Sequence, residues 1–275
     1  MRWTFVLLAG WLGSSALAQP VSGQQFFGAP ADQVFTPAQT SGPPPSATDV
    51  LVAEPPPLWS GSADLGLNGA TGNAERFNRR TGFAATRKTA DNLLTADFLY
   101  TYTRTGGLVG VNQPLFNARD ERLYAGTPWL LFASTQVEYD QLRDYRFRVG
   151  VYAGVGYAVI DTPDVGLKLR AGAGVVREIG SNGLASRWVP ELIFGEDFRY
   201  RFSDTDSFVS SVDFYPRVDD FTQFRVRAGA AYEHVISPAS GMLVRLGAQD
   251  RYDSNPGNNS KKNDLTYFVT FGVKF

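Results

Sequence analysis

The stretch RFRVGVYAGVGYAVI, residues 146–160, decides the fold. Its apolar residues fall on every second position, and the positions between them hold Arg148, Tyr152 and several glycines. Successive residues of a β-strand point to opposite sides, so one face of this stretch is apolar and the other is small or polar. The stretch is therefore predicted to be a long strand with one face against an apolar medium.

The same period of two recurs along the chain from residue 58 to the last residue. QFRVRAGAAYEHVI (223–236) and DLTYFVTFGVKF (264–275) repeat it, and the second runs to the terminal Phe275. Chain ends of soluble proteins usually fray, so a strand that lasts to the final residue needs a reason. Twelve strands are predicted, near 58–68, 75–87, 92–104, 119–126, 129–140, 146–160, 165–178, 187–202, 206–217, 222–236, 241–252 and 264–275.

Strand length and loop pattern favour a membrane barrel. A tilted spanning strand needs roughly 9–11 residues, and the lengths of these runs are near or above that value. The connections DTPD, SDTD and SPAS are compact, whereas TGGLVGVNQPLFNAR (105–119) and DSNPGNNSKKN (253–263) are long. Lipid offers no hydrogen-bond partner to the backbone, so strands span only when the sheet closes and the last strand pairs with the first. We predict a closed antiparallel transmembrane β-barrel of about 12 strands over residues 58–275; a soluble periplasmic β-sandwich is the alternative.

The N-terminal part has a different composition. Residues 1–18 contain Arg2, a short apolar run and the triplet Ala16-Leu17-Ala18, which predicts a cleaved secretory signal peptide. The next zone, 19–57, is rich in proline, with two Pro-Pro-Pro runs, and cannot bury enough apolar surface to fold. We predict a disordered linker there. An even strand number places it, with both ends of the barrel, in the periplasm.

Composition argues against several function classes. The formal net charge of −1 gives no electrostatic basis for nucleic-acid binding, and the absence of cysteine excludes disulfides and thiol chemistry. The single histidine, His234, lies on the same alternate positions as the apolar residues of its strand, which we call the apolar parity. It also precedes a predicted periplasmic turn, and this place suits a residue at the membrane boundary. Trp59, Trp129 and Trp188 fall near predicted strand ends on the same parity. We predict no catalytic, cofactor or metal site, and no enzyme.

The polar parity, which faces the predicted lumen, carries nearly equal numbers of acids and bases. A basic wall is predicted from Arg170, Arg199, Arg201, Arg225, Arg227 and Arg245. Its predicted acidic partners are Glu191, Asp197, Asp213 and Glu233. Two interpretations stay open, an anion path and a structural network of ion pairs, and near balance favours the network.

Glu196 breaks the alternation. It lies on the apolar parity, between Phe194 and Phe198, where a charge in lipid is costly. Either a bulge at Gly195 turns Glu196 inward, or the strand is misplaced.

The region from Trp59 to Phe275 resembles the salt-induced outer-membrane protein family, a group of bacterial barrel proteins. The similar segments are WSGSADLGLNGATGN, EYDQLRDYRFRVGVYAGVGYAVIDT, LRAGAGVV, DFYPRVDDF and QDRYDSNP. The resemblance implies an outer-membrane location and a role in envelope stress, and it supplies no ligand or catalytic residues.

The aromatic end of the last strand also resembles the signal that barrel-assembly machinery reads, here Tyr267, Phe271 and Phe275. The expected partners are therefore outer-membrane lipid and that machinery. The expected function is a passive channel or an envelope-integrity barrel. The alternative is a structural or ligand-binding barrel with a filled lumen and functional loops. No oligomeric state is predicted.

Overall fold

The chain folds into a closed antiparallel β-barrel. The computed structural model describes residues 58–70, 76–141, 145–180, 186–256 and 261–275. Within these ranges each strand pairs with its neighbours along the chain, and the last strand pairs with the first. The strands are β1 (Trp59–Ala70), β2 (Arg76–Lys88), β3 (Asn92–Thr105), β4 (Leu108–Leu123), β5 (Trp129–Tyr139), β6 (Tyr145–Asp161), β7 (Val165–Gly180), β8 (Arg187–Arg201), β9 (Asp206–Pro216), β10 (Phe224–Ser237), β11 (Met242–Asp253) and β12 (Asn263–Lys274).

The predicted signal peptide (1–18) and linker (19–57) lie outside the described residues, and both stay predictions. Across the described part of the chain, no helix has the length and apolar character needed to cross a membrane.

The apolar parity faces outward and the polar parity faces the lumen. On β6, Val151 and Val155 are exposed on the outer wall, whereas Arg148 and Tyr152 are buried inside. A soluble protein does the reverse, because apolar side chains exposed to water oppose folding. The single closed ring also excludes the β-sandwich alternative, which requires two separate sheets. The fold is that of a transmembrane barrel.

The two rims of the barrel differ. One rim carries the start of β1, the end of β12 and the turns after β2, β4, β6, β8 and β10; it is called the turn end below. The turns predicted from DTPD, SDTD and SPAS lie there. The opposite rim, the loop end, carries the other connections, including residues 217–223 and the described residues 254–256 and 261–262. Both rims bear outward tryptophans: Trp59 and Trp129 at the turn end, and Trp188 at the loop end.

The prediction for the fourth strand and its preceding loop was wrong. The segment 105–119 is not a long loop: β4 begins at Leu108 and follows β3 through a two-residue turn. Gly106 and Gly107 have φ angles of 55° and 82°, values that a tight hairpin turn requires and that glycine adopts without strain. β4 pairs with β5 only from Leu115 to Leu123, so the tip of the β3–β4 hairpin extends beyond the end of β5.

The barrel closes through a short seam between β1 and β12. Only four residue pairs, from Ser62–Lys274 to Leu65–Phe271, are in register there. The terminal residue extends the seam: the Phe275 amide donates to the Gly61 carbonyl at 3.0 Å, and the Gly61 amide donates back at 2.8 Å. The Phe275 ring covers Gly61 so closely that a Cβ on Gly61 would lie 2.6 Å from it. The last residue thus helps to close the sheet.

Glu196 lies in regular register on the outer wall. It pairs with Leu169 of β7 and with Val212 of β9, and neither ladder shifts at Gly195. The bulge and the misplaced strand are therefore both excluded, and the carboxylate faces outward between Phe194 and Phe198. The apolar belt has a real charged interruption at this point.

Candidate functional site: a lumen closed by ion pairs

One carboxylate joins opposite walls of the lumen. Glu138 of β5 forms ion pairs with Arg227 of β10 and with Arg251 of β11. In the closed ring, β5 and β11 are six strands apart in either direction, which is the largest possible separation. Only 1% of Glu138 is exposed. We call these three residues the Glu138 bridge; it crosses the lumen and fills it at that height.

Polar side chains extend the bridge along the wall. Arg251 Nη1 donates to Gln113 Oε1 at 2.7 Å, and Gln113 Nε2 donates to Asp140 Oδ2 at 2.6 Å. These contacts link β11 and β4 to the residue that follows β5. A buried ion is tolerated only when its remaining hydrogen-bonding positions are occupied, and this chain of contacts occupies several of them.

Two cavities lie on either side of the Glu138 bridge. The larger, of about 700 Å³, has Glu138, Arg251 and Gln113 in its wall and reaches Lys261 and Asn263 at the loop end. The smaller, of about 90 Å³, lies deeper and includes Arg227 in its wall. Leu115 and Gln249 line both cavities, so they adjoin. The bridge therefore stands between a space at the loop end and a space inside the barrel.

A second group of charges fills the turn half of the lumen, here called the Asp197 cluster. Asp197 of β8 accepts from Arg119 of β4 at 3.0 Å and from Arg170 of β7 at 3.1 Å. Glu121 of β4 pairs with Arg119 at 2.8 Å and also with Lys168 of β7. All five side chains are buried, so this cluster closes the lumen from β4 across to β8.

The predicted acidic partners all make ion pairs. Glu191 pairs with Arg225 at 2.6 Å and also accepts a hydrogen bond from Tyr152. Glu233 pairs with Arg245 at 2.7 Å and with Lys274 at 3.2 Å.

The predicted basic wall divides into two parts. Arg170, Arg225, Arg227 and Arg245 are engaged by carboxylates: Arg170 also reaches Asp213 at 3.1 Å, and Arg245 reaches Asp64 at 2.8 Å.

Arg199 and Arg201 form the other part, near the turn end. No ion pair to either is found among the described residues; Arg199 donates to the Thr162 carbonyl at 3.4 Å. Each keeps a buried nitrogen without a hydrogen-bond partner, Nε of Arg199 and Nη2 of Arg201. The six bases thus do not form one continuous anion path.

Sequence reasoning missed Arg119 and Glu121, two central members of the Asp197 cluster. They lie in the run Arg119-Asp120-Glu121-Arg122, where charges occupy both parities. Arg119 and Glu121 point inward and are buried, whereas Asp120 and Arg122 are exposed. With no apolar face in this run, alternation alone cannot tell inside from outside. Which of these side chains point inward follows only from the rest of β4, which continues back toward Leu115.

The single histidine stays away from the lumen. His234 lies on the outward parity of β10 at the turn end, and its Nδ1 is 2.7 Å from Asp206 Oδ1. Tyr232, two residues away on the same face, also donates to Asp206. The three side chains form a polar contact at the rim, where half-apolar groups suit the membrane boundary.

The loop between β9 and β10 holds its acids within its own turns. Arg217 donates to Asp219 from Nε at 2.9 Å and from Nη2 at 2.6 Å, and these bonds lower the pKa of the Asp219 carboxyl. Hydrogen bonds from Thr222 and Gln223 likewise lower the pKa of Asp220. Both carboxylates are therefore ionised at neutral pH and engaged locally. No group of three or more potential metal ligands occurs in the described part of the chain.

The outward apolar belt, the charged inner face and the closed ring define a transmembrane β-barrel whose lumen is crossed by ion pairs. The chain belongs to the family described as "Protein of unknown function, DUF481", whose sequence model matches residues 63–275. That description assigns no function and does not use the salt-induced name, which stays a prediction. A comparison with curated proteins found no match.

Several solved structures resemble the chain in fold. The NanC porin in a rhombohedral crystal form has a TM-score of 0.46 and 10% identity, over 78% of this chain and 97% of that one. The translocator domain of the autotransporter NalP from Neisseria meningitidis has a TM-score of 0.41 and 12% identity, over 79% and 86%. The outer membrane channel DcaP of Acinetobacter baumannii has a TM-score of 0.35 and 11% identity, over 79% and 94%.

Proposed function

We propose that the protein is an outer-membrane barrel of the channel type whose lumen is closed at rest by charged side chains. The Glu138 bridge carries this proposal, because it ties opposite walls together between two adjoining cavities. An open pore lined by charge keeps its walls apart and leaves a continuous water path. Here the arginines reach across instead.

Barrel size supports the proposal. Eight-stranded barrels are filled by their own side chains, whereas sixteen-stranded porins leave an aqueous channel. Twelve strands lie between these limits, so the bore depends on which side chains point inward. Long arginines and glutamates point inward here, and they meet in the middle.

Conductance in planar lipid bilayers tests the proposal. We expect the wild-type barrel to show almost no steady current at low voltage. Glu138→Gln removes the charge that ties Arg227 and Arg251 to β5, which weakens the bridge across the lumen, so openings should become more frequent. The matched control is Glu233→Gln, which also removes a buried, paired carboxylate but lies away from both cavities. Its current should stay like that of the wild type.

Each other outcome points to a different function. A steady wild-type current would mean that the lumen is open and that the protein is a passive channel. Silence in both wild type and Glu138→Gln would favour the second candidate, a structural barrel with a filled lumen. The Asp197 cluster favours that candidate, because it adds a further layer of buried ion pairs across the turn half.

The same proposal includes a location and partners. Both ends of the barrel domain lie at the turn end. We therefore place the turn end at the periplasm and the loop end at the cell surface. Outer-membrane lipid and barrel-assembly machinery are the proposed partners, with a non-enzymatic role in envelope integrity. Membrane fractionation tests the location: the protein should separate with outer-membrane markers and shift its gel mobility on boiling. Recovery without detergent would contradict it.

A further inference from the structure

Glu196 is unusual among the charged residues of the barrel wall. It is exposed on the outer face of β8, and it makes no hydrogen bond or ion pair with any described residue. Along its strand it lies between Trp188 and Tyr200, within the apolar outer face of β8. Ionisable side chains at such a depth are costly and generally mark a functional contact.

A groove surrounds this carboxylate. It has a volume of about 460 Å³ and opens outward, with Trp129, Tyr157, Leu169, Phe194 and Val212 beside Glu196 in its walls. The rest of its wall comes from Val155, Gly156, Arg170, Ala171 and Gly195, and the small residues among them let the groove sink into the wall. A volume of this size falls within the range of sites for small molecules, roughly 300–1,000 Å³.

The groove wall includes Arg170, but this residue lies on the inward positions of β7, and its guanidinium pairs with Asp197 and Asp213 in the lumen. The outward positions of β7 running from Leu169 toward the loop end are apolar until Arg177, whose guanidinium packs over the Trp188 ring at 4.8 Å. Eight residues of strand separate Leu169 from Arg177, a distance of about 26 Å. Arg177 therefore cannot reach the groove, and the negative charge calls for a partner from outside the chain.

We propose that this groove binds a long-chain membrane amphiphile whose polar end is an amine. The ammonium group pairs with Glu196, and the aromatic faces of Trp129, Tyr157 and Phe194 add cation–π attraction. The alkyl chain lies on the apolar walls. An amine is the fitting cation, because it can cross hydrocarbon in its neutral form, whereas guanidinium stays charged. This site lies on the outer wall and does not depend on the closed lumen.

Tryptophan fluorescence in lipid nanodiscs tests the proposal. The purified mature protein would carry Trp59→Phe and Trp188→Phe, so that Trp129 is the reporter in the barrel. The probes are dodecylamine and dodecanol, which share a chain and differ in the polar end. We expect dodecylamine to reach half-saturation of the Trp129 signal at a concentration at least tenfold lower than dodecanol.

Two variants separate the site from general partitioning into the lipid. Glu196→Gln keeps the shape of the groove and removes the charge, so the preference for the amine should fall to within twofold. A barrel with Trp129→Phe and native Trp188 reports from the loop end, where no preference is expected. Gel heat-modifiability confirms that each variant is folded. Equal response to both probes in the wild-type background, or an unchanged preference in Glu196→Gln, would overturn the proposal.

Discussion

Glu138 and Glu196 are the same residue type on opposite sides of one wall, and they have opposite surroundings. Glu138 faces the lumen, is buried, and holds two arginines from the far side. Glu196 faces outward among aromatic and aliphatic side chains and has no partner among the described residues. Strand parity alone separates the two cases, because the side-chain period of a strand is two.

The contrast teaches where this barrel places its polar interactions. Inside, ion pairs compensate charges that would otherwise be buried alone, and breaking one pair leaves two or three groups unsatisfied. Outside, a charge has only lipid around it, so it lowers stability unless something binds it. A carboxylate inside is thus a structural element, and one outside is a candidate contact. Removing the charge should therefore destabilise the barrel at Glu138 and stabilise it at Glu196.

Removing the inner carboxylate should have the largest effect. Glu138→Ala removes the carboxylate that pairs with Arg227 and Arg251, and the loss of one member of a buried pair typically costs about 3–5 kcal/mol. Urea unfolding in lipid vesicles measures the change. Glu138→Gln is the matched variant, since its amide still accepts hydrogen bonds, and it should lose less. Equal stability of wild type and Glu138→Ala would show that the bridge does not hold the walls together.

Adding a charge outside should be nearly as costly. Val151→Arg places a cation on the outer face of β6, between Phe147 and Tyr157, at an expected cost of about 2–4 kcal/mol near the bilayer midplane. Val151→Thr has nearly the same shape and should cost far less. A substitution at the neighbouring inward-facing Gly150 would not serve as a control, because a Cβ at that position would lie 2.8 Å from the Tyr152 ring. If Val151→Arg folds as stably as Val151→Thr in the same urea titration, the outer wall of β6 does not face lipid.

Removing the outer carboxylate should stabilise the barrel. A lipid-facing Glu costs less than the roughly 2–4 kcal/mol of a lipid-facing Arg, so Glu196→Leu should gain about 1–2 kcal/mol in vesicles free of amines. The gain should shrink when dodecylamine is added, since the ligand stabilises only the wild type. Thermal unfolding on gels, with and without the amine, measures both effects. A destabilised Glu196→Leu barrel would show that Glu196 has a structural partner.

Much of the fold follows from the sequence because alternation is a local property. β6, β10 and β12 each have one apolar parity, and that pattern fixes both the strand and its outward face. The short turns at the turn end likewise have recognisable chemistry. β4 fails this test: Pro114 and several polar residues weaken its pattern, and the Gly106-Gly107 turn looks like the start of a loop. Its strand character comes from pairing with β3, which is a property of the sheet.

The site is less accessible from the sequence than the fold. Parity assigns Glu138 and Arg251 to the lumen, but it does not reveal that they meet, since they lie on opposite strands of the ring. That contact depends on barrel diameter and strand stagger, which are global quantities. For Glu196 the outward position was correct, and the expectation that lipid excludes charge led to two alternatives, a bulge at Gly195 or a misplaced strand, neither of which the structure contains.

The smallest effect on stability is expected at Phe275, an outer residue that is predicted to serve assembly. Deleting Phe275 removes the two backbone hydrogen bonds with Gly61 and a residue that is 66% exposed. Terminal pairs fray, so the cost should be about 1 kcal/mol. The rest of the seam keeps its four register pairs, and Tyr267 and Phe271 remain on the outer face.

We therefore expect the barrel lacking Phe275 to refold in detergent nearly as well as the wild type, yet to reach the outer membrane of cells at a much lower level. The physical reason is that assembly machinery must recognise the last strand before the seam forms, when Phe275 is not yet packed over Gly61. Refolding yield on gels and surface level by protease accessibility measure the two quantities. Phe275→Tyr keeps an aromatic end and should restore assembly. A deletion that fails equally in detergent and in cells would mean that Phe275 acts through closure of the seam, and equal surface levels would remove it from the assembly signal.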